Sequence, residues 1–190
     1  MDGHTRRVVR VGALLGVLAL LLGALHAARL SFNFTDSMPI GIYRLDGVTR
    51  PVRAGDVVEV CPPPDAARLA MTRHYLLRNG PCPYGAIYLL KMVAAVGGDT
   101  VDVERNRVLV NGVALANSAT LALDRQGKPL PHVSRGIYHL GPGQLWLWTP
   151  NPRSWDSRYY GPVAERGVAG FAHLVLAVAP WPYFNVRRAR

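Results

Sequence analysis

Glycines and prolines interrupt this chain so often that little room is left for long helices. The sequence has 19 glycines and 15 prolines among 190 residues, and both residue types tend to end regular elements. Short β-branched or apolar runs lie between them, at residues 56–60, 87–96, 100–103, 107–110, 145–148 and 173–178. Short runs of this kind, bounded by turns, are typical of β-strands. The sequence therefore predicts a mainly β fold, with the polar segment 116–134 as a surface loop or insertion.

The start of the chain contains a long stretch without charged or strongly polar side chains, residues 11–25. Three arginines precede it: Arg6, Arg7 and Arg10. As a helix extended to residue 28, the stretch would measure roughly 27 Å, which is just enough to cross the hydrocarbon layer of a membrane. Because positive charge favours the cytoplasmic side, the pattern predicts a single transmembrane helix with the following chain exported.

Two parts of the chain follow from this pattern. We expect residues 1–30 to form a cytoplasmic N-terminus with a membrane anchor, and residues 31–190 to form one exported domain. A signal sequence that is removed by cleavage is the alternative for the first part, because small residues such as Ala27 and Ala28 are typical of a cleavage site.

The formal net charge of +10 is concentrated at the two ends of the chain. Residues 11–186 carry 16 basic and 11 acidic side chains, because several arginines lie outside that range: Arg6, Arg7, Arg10, Arg187, Arg188 and Arg190. The body has no basic run with interleaved aromatic residues, so we do not expect nucleic-acid binding. The histidines show no metal-ligand spacing and no glycine-rich phosphate loop is present. The sequence therefore predicts neither a metal nor a cofactor.

Two cysteines, Cys61 and Cys82, lie in the part of the chain that we expect to be exported. In an oxidising compartment they could pair, and the loop that they close would be stabilised by about 3 kcal/mol. Two free thiols are the alternative, which the spacing alone does not exclude. Neither cysteine has an evident base near it in the sequence, so a role as nucleophile is not expected.

Lysine is rare in this chain, which has 20 arginines and only two lysines. Lys128 lies in a polar loop and is expected to be a solvated charge. Lys91 lies within residues 86–96, which are apolar on both faces of the predicted strand, so burial would favour loss of its proton. A neutral lysine can act as a general base, which an arginine cannot. A lysine that extends to solvent from a strand end, or that pairs with a carboxylate, fits this segment equally well.

Three segments resemble the boxes that mark the type I signal peptidases (peptidase family S26). Residues 33–43 contain Ser37-Met38-Pro39 and resemble the nucleophile box. Residues 90–99 are similar to the lysine box, and residues 149–161 to the third box, which ends in Asp-Ser-Arg-Tyr-x-Gly. The three segments occur in the family's order, and the resemblance covers nearly the whole chain. The short length and the two Cys-Pro segments look most like the branch that matures pilin subunits for conjugative transfer.

This resemblance implies a mostly β catalytic core and a role for particular residues. Ser37 would be the nucleophile, Lys91 the general base and Asp156 a third residue that the site needs. Three more residues would have supporting roles. Thr35 would donate a hydrogen bond to the oxyanion, Ser154 would orient the lysine, and Arg158 would pair structurally with Asp156.

Some positions depart from the family's pattern. Met92 follows Lys91 where arginine is usual, and Gly97 replaces a common proline, which affects the loop before Asp99. Asp36 stands next to the nucleophile, where a carboxylate would raise the pKa of Lys91 and oppose the effect of burial, unless it points away.

The expected function is that of a membrane-bound serine endopeptidase which processes exported precursors. It would lie in a bacterial inner membrane with its catalytic domain on the periplasmic side. Its partners would be a precursor protein or pilin subunit, membrane lipid and other proteins of a transfer apparatus. Aromatic residues on both sides of the domain are expected to contact the lipid: Phe32, Phe34, Trp181, Tyr183 and Phe184.

Three points remain open at this level. The reaction could end in hydrolysis or, if the substrate's own N-terminus attacks, in a cyclic pilin. A general signal peptidase with many substrates is an alternative to a pilin-processing one. A non-catalytic anchored β module is a third reading, and it would tolerate the loss of Ser37 or Lys91.

Overall fold

The computed structural model describes residues 3–27 and 29–183, which excludes the arginines at 187, 188 and 190. Three α-helices are present in this part of the chain: α1, Gly3–Ala27; α2, Pro64–Thr72; and α3, Ser157–Tyr160. The strands are β1, Leu30–Asn33; β2, Gly41–Asp46; β3, Val57–Val60; β4, Leu89–Ala95; β5, Thr100–Val103; β6, Val108–Val110; β7, Val113–Ala114; β8, Gly136–His139; β9, Gln144–Trp148; β10, Val163–Ala164; and β11, Val168–Ala177.

These strands form two antiparallel sheets. The larger sheet has seven strands in the order β1-β2-β11-β3-β4-β9-β10, and the smaller has four in the order β7-β6-β5-β8. Each apolar run singled out in the sequence overlaps one of these strands, because turn residues bound the runs. The prediction of a mainly β fold is confirmed.

The predicted transmembrane helix is wrong. Among the helices formed by residues 3–27 and 29–183, none is both long enough and apolar enough to cross a membrane. The helix at this position, α1, has 25 residues, but it takes in Arg6, Arg7 and Arg10 instead of beginning after them.

Two hydrophobic clusters hold the sheets together. The first fills the inner face of the larger sheet, and its buried residues are Val52, Val58, Val60, Leu89, Val93, Leu145, Leu147, Val163, Val168 and Phe171. The second joins β4 and β9 to the smaller sheet, and its buried residues are Ala95, Val101, Val103, Val108, Leu140, Trp146 and Trp148. β4 therefore contributes to both clusters and lies deep in the molecule.

The connection between β3 and β4 is closed by a disulfide bond. Cys61 and Cys82 are bonded, with their Cα atoms 5.3 Å apart. The 21-residue separation between them contains α2, whose alanine face is buried. This bond constrains the segment that forms one wall of the cavity described below.

Candidate active site

The nucleophile candidate lies on the loop between β1 and β2, and a single asparagine organises that loop. Asn33, the last residue of β1, donates from Nδ2 to the carbonyl oxygens of Thr35, Met38 and Pro39 at 2.8, 3.0 and 3.0 Å. Its Oδ1 accepts from the backbone N–H and the hydroxyl of Thr35 at 3.2 and 2.9 Å. The loop is thereby folded around one side chain, with Ser37 near its middle.

The loop is also fixed at its far end, where β2 begins. Met38 is buried, and the Tyr43 hydroxyl donates to the Pro39 carbonyl at 2.9 Å. Gly41 pairs with Ala177 of β11 so closely that a Cβ atom at this position would overlap the carbonyl oxygen of Leu176. A residue with a side chain would therefore push β2 away from β11 and move the loop.

The structure brings Ser37 and Lys91 together, although 54 positions separate them. Lys91 Nζ lies 3.2 Å from Ser37 Oγ and also donates to the Leu90 carbonyl at 3.2 Å. The lysine side chain is 4% exposed, and it has no carboxylate within ion-pair distance in the part of the chain that the structure describes. Lys91 thus neither extends to solvent nor forms a salt bridge.

Burial lowers the pKa of Lys91 from 10.5 to about 8. The nearby charge of Arg158 acts in the same direction, whereas the carboxylates of Asp156 and Asp36 raise the pKa. Desolvation outweighs the two carboxylates because the ammonium is almost fully enclosed. A substantial neutral fraction near pH 8 follows, and a neutral amine at 3.2 Å can accept a proton from a serine hydroxyl.

Thr35 is the second hydroxyl next to the nucleophile. Its Oγ1 lies 3.0 Å from Ser37 Oγ and donates to Asn33 Oδ1 at 2.9 Å. The side chain therefore lies near the place of the former carbonyl oxygen in a tetrahedral intermediate, one bond away from the carbon attached to the Ser37 oxygen, where the oxyanion would form.

Asp156 and Arg158 form a fully buried ion pair beside the lysine strand. Arg158 Nε and Nη2 donate to the two carboxylate oxygens, each at 2.8 Å. Nη1 and Nη2 also donate to the backbone carbonyls of four residues: Asn117, Ala119, Thr149 and Asn151. The pair ties α3 to the segment after β9. Asp156 makes no hydrogen bond to Lys91, and its influence on the pKa of the lysine comes from its charge.

Ser154 lies in the same cavity as Ser37 and Lys91. Its side chain is buried, but its Oγ has no hydrogen-bond partner among the described residues. The structure therefore does not bring Ser154 into the hydrogen-bonded group around the lysine.

Asp36 points towards the rim of the site. Its carboxylate lies 3.4 Å from Arg125, and both side chains are exposed. Its carbonyl oxygen accepts from Asn151 Nδ2 at 3.2 Å and from Trp181 Nε1 at 3.0 Å. Arg125 thus pairs with the carboxylate next to the nucleophile at the exposed rim, and the Asp36 charge still raises the pKa of Lys91, though less than burial lowers it.

A cavity of about 760 Å³ surrounds the serine and the lysine. Its walls come from the β1–β2 loop, the start of β4, the segment closed by the disulfide and a short hairpin in which Leu123 pairs with Pro129. Apolar side chains line much of it, among them Phe34, Leu76, Leu77, Leu130 and Trp155. The segment 116–134 is therefore a loop, as predicted, but part of it borders the cavity.

Exposed aromatic residues lie beside this cavity. Phe32 and Phe34 are 40% and 70% exposed, and their ring centres are 4.4 Å apart. Trp181 and Tyr183 are partly exposed, and Phe184 lies outside the described residues. Within the described part of the chain, no group of three or more histidine, cysteine, aspartate or glutamate residues is placed to hold a metal ion.

Sequence reasoning gave Asn33 and Asn151 no role in the site, and it named Trp181 only as a lipid contact. The signal for Asn33 was present, since asparagine often bonds to backbone groups two residues ahead. Asn151 and Trp181 contact Asp36 across 115 and 145 positions, and no local sequence pattern predicts contacts between residues so far apart.

Comparisons with known proteins agree with the three boxes. The sequence matches the family model for signal peptidase, peptidase S26, over residues 5–177. It is 41% identical over 149 residues to the probable conjugal transfer protein TraF of Sinorhizobium fredii (strain NBRC 101917 / NGR234), which covers 78% of this chain and 77% of that protein. It is 34% identical over 179 residues to the conjugal transfer protein TraF of Agrobacterium fabrum (strain C58 / ATCC 33970), with coverages of 92% and 98%.

A solved structure is also similar to this chain. The signal peptidase I of Enterococcus faecalis V583 is 17% identical and superposes with a TM-score of 0.36, covering 64% of this chain and 97% of that one.

Proposed function

Because this chain belongs to the signal peptidase family, peptidase S26, we propose that it cleaves precursor proteins with Ser37 as nucleophile and Lys91 as general base. The observation that carries the proposal is the 3.2 Å contact between Ser37 Oγ and the Nζ atom of a lysine that is 4% exposed and has its pKa lowered to about 8. A buried lysine at this distance has the geometry and the proton affinity that a general base requires.

The reaction begins with proton transfer from Ser37 to neutral Lys91. The Ser37 oxygen attacks the scissile carbonyl, and the negative charge that develops on the carbonyl oxygen is held by the Ser37 backbone N–H and the Thr35 hydroxyl. Each such donor contributes roughly 3 kcal/mol in comparable sites. The Thr35 hydroxyl must turn from Asn33 towards this oxygen, which is a rotation about one bond.

Collapse of the tetrahedral intermediate breaks the peptide bond. Protonated Lys91 gives its proton to the leaving amine, and an acyl-enzyme ester on Ser37 remains. A second nucleophile, water or an amine, then gives up a proton to Lys91 and attacks the ester. When the Ser37 oxygen leaves, it regains its proton from Lys91 and the enzyme returns to its starting state.

The substrate that we propose is the precursor of a pilin subunit of a conjugative transfer system. The support comes from the relatives, which are conjugal transfer proteins and match this chain over most of their length. Attack by water would give a trimmed linear pilin, and attack by the pilin's own N-terminus would give a ring that is lighter by one water molecule.

We further propose that the catalytic domain acts on the periplasmic side of the inner membrane and contacts lipid through Phe32 and Phe34. The disulfide between Cys61 and Cys82 supports an oxidising compartment. The exposed pair of phenylalanines beside the cavity supports contact with an apolar surface. Co-sedimentation with liposomes tests the contact: Phe34→Ser should weaken it, and equal binding by both proteins would refute it.

The decisive test is incubation of the purified full chain with a candidate pilin precursor, followed by mass spectrometry of the product. We expect cleavage by the wild type and none above background by Ser37→Ala. Ser134→Ala is the matched control, because Ser134 is an exposed serine outside the cavity, and it should cleave like the wild type. Cleavage by Ser37→Ala at the wild-type rate would refute the proposal.

A further inference from the structure

The cavity around Ser37 and Lys91 contains a carboxylate that the proposed reaction does not use. Glu59, on β3, lines the cavity and is half-buried. Ser31 Oγ donates to its Oε1 at 3.0 Å. Among the described residues none places a lysine, arginine or histidine nitrogen within 4.0 Å of this carboxylate. Glu59 is therefore a partly desolvated charge with one neutral donor and no counter-ion.

The pairing of β3 with β4 fixes where Glu59 lies relative to the lysine. Glu59 pairs with Leu90, and Lys91 pairs with Val58. Side chains of neighbouring residues in a strand point to opposite faces of the sheet, so Glu59 and Lys91 lie on opposite faces. Both nevertheless line one cavity, and the cavity must therefore reach around an edge of the sheet.

The edge in question is the start of β4. β9 pairs with β4 only from Met92 onwards, so within the described part of the chain residues 89–91 have no strand beside them on that edge. This free edge lies between the Lys91 face and the Glu59 face.

A peptide that runs along a free strand edge in extended form directs its side chains alternately to the two faces. If the residue whose carbonyl is attacked lies on the Lys91 face, then residues an odd number of positions away lie on the Glu59 face. One of those residues can come close to the carboxylate.

We propose that Glu59 forms a subsite for a cationic side chain of the substrate, a lysine or an arginine, at an odd number of positions from the scissile residue. A cationic side chain of the substrate would supply the counter-ion that Glu59 lacks among the described residues. Charge-assisted hydrogen bonds to a half-buried carboxylate are stronger than neutral ones. Burial, the larger influence, raises the pKa of Glu59 while the Ser31 hydrogen bond lowers it, which agrees with a carboxylate that no cation of the chain stabilises. This inference rests on the proposed function for the cavity's role as the peptide-binding site.

Peptide binding to the full-length Ser37→Ala protein tests the proposal without requiring turnover. Labelled peptides that span the precursor's cleavage site carry lysine, norleucine or glutamate at one position at a time, and fluorescence anisotropy gives each Kd. At one odd-numbered position, lysine should bind about tenfold more tightly than norleucine, and glutamate more weakly than both. A Kd that is the same for lysine and glutamate at every position would overturn the proposal.

Variants then identify the carboxylate. Adding Glu59→Gln should reduce the lysine-to-norleucine ratio of Kd values from about tenfold to about one, because the amide keeps an acceptor for Ser31 but loses the charge. Glu104→Gln removes the same charge from an exposed position outside the cavity and should keep the ratio. A ratio that survives Glu59→Gln would overturn the proposal. The proposed function is tested separately, by cleavage with the wild-type protein. If the wild type cleaved no precursor, the proposed function would be refuted, whereas the measured Kd ratios would be unaffected.

Discussion

Replacing Lys91 with methionine should make the folded protein more stable at neutral pH, by an amount that disappears in alkali. Methionine has similar length and no charge, so it removes the cost of holding an ammonium group in an almost fully enclosed place. Burial lowers the pKa of Lys91 from its ordinary value of 10.5, which the unfolded chain retains, to about 8 in the fold. This difference corresponds to about 3 kcal/mol, since one pKa unit is about 1.36 kcal/mol.

The sign of the pH dependence follows from proton counting. Below pH 8 both the folded and the unfolded chain carry a protonated lysine, and the folded form bears the full cost of burial. Between about pH 8 and 10.5 the unfolded chain still binds the proton while the folded chain releases it, so stability rises with pH. Above about pH 10.5 neither form is charged and the cost is absent.

Urea unfolding at pH 7 and pH 10.5, with the disulfide intact, measures the effect. The free energy of unfolding of Lys91→Met minus that of the wild type should be about 3 kcal/mol larger at pH 7 than at pH 10.5. Lys128→Met, at an exposed position, is the matched control for loss of a lysine. A difference between Lys91→Met and wild type that is the same at both pH values would refute the argument that burial discharges Lys91.

Three further substitutions test the rest of the site. Asn33→Ala removes the side chain that folds the β1–β2 loop. We expect kcat, measured by peptide cleavage, to fall about 100-fold, and calorimetry to show a loss of thermal stability. A normal kcat would contradict this role. Thr35→Val should lower kcat by about 100-fold with KM little changed, because it removes the oxyanion donor while the Thr35 backbone N–H still bonds to Asn33. An effect on KM alone would contradict this role. Asp156→Asn leaves Arg158 buried without its carboxylate, so unfolding in urea should show a loss of about 3 kcal/mol or more; unchanged stability would contradict the structural role of the pair.

Six of the strands described above, the lysine strand β4 among them, could be predicted because their signals are local. A turn-bounded apolar run predicts a strand wherever it lies. Lys91 within such a run was consistent with burial, and also with a lysine that extends to solvent or pairs with a carboxylate. β1 and β2 were missed because their residues are mixed in character, and only the ladders with each other and with β11 make them strands.

The N-terminal helix shows how a local signal can mislead. The uncharged stretch at residues 11–25 suggested a span that begins after the arginines, whereas α1 runs through them. The extent of a helix depends on backbone hydrogen bonding, which arginine permits as readily as leucine. Hydrophobicity alone therefore did not fix where this helix begins.

Apart from the Ser37–Lys91 pair and the Cys61–Cys82 pair, which the sequence analysis named, contacts between distant parts of the chain could not be predicted. Ser31 meets Glu59 across 28 positions and Arg125 meets Asp36 across 89. The first pair depends on the approach of β1 to β3, and the second on the approach of the β1–β2 loop to the hairpin of residues 123–129. No residue pattern within these segments encodes either approach. The boxes indicated the candidate pair Ser37 and Lys91, which the structure brings within 3.2 Å, but they gave no sign of Glu59 or Arg125 nearby.

The most direct test of the central claim is the activity of Lys91→Arg. Arginine keeps a positive charge and much of the length, but it does not lose its proton in a protein. If Lys91 takes the proton from Ser37, precursor cleavage by Lys91→Arg should fall to the background level of Lys91→Ala, while Lys128→Arg cleaves like the wild type. Retention of more than about a tenth of wild-type turnover, a loss below about 1.4 kcal/mol in the barrier, would contradict the assignment of Lys91 as the general base.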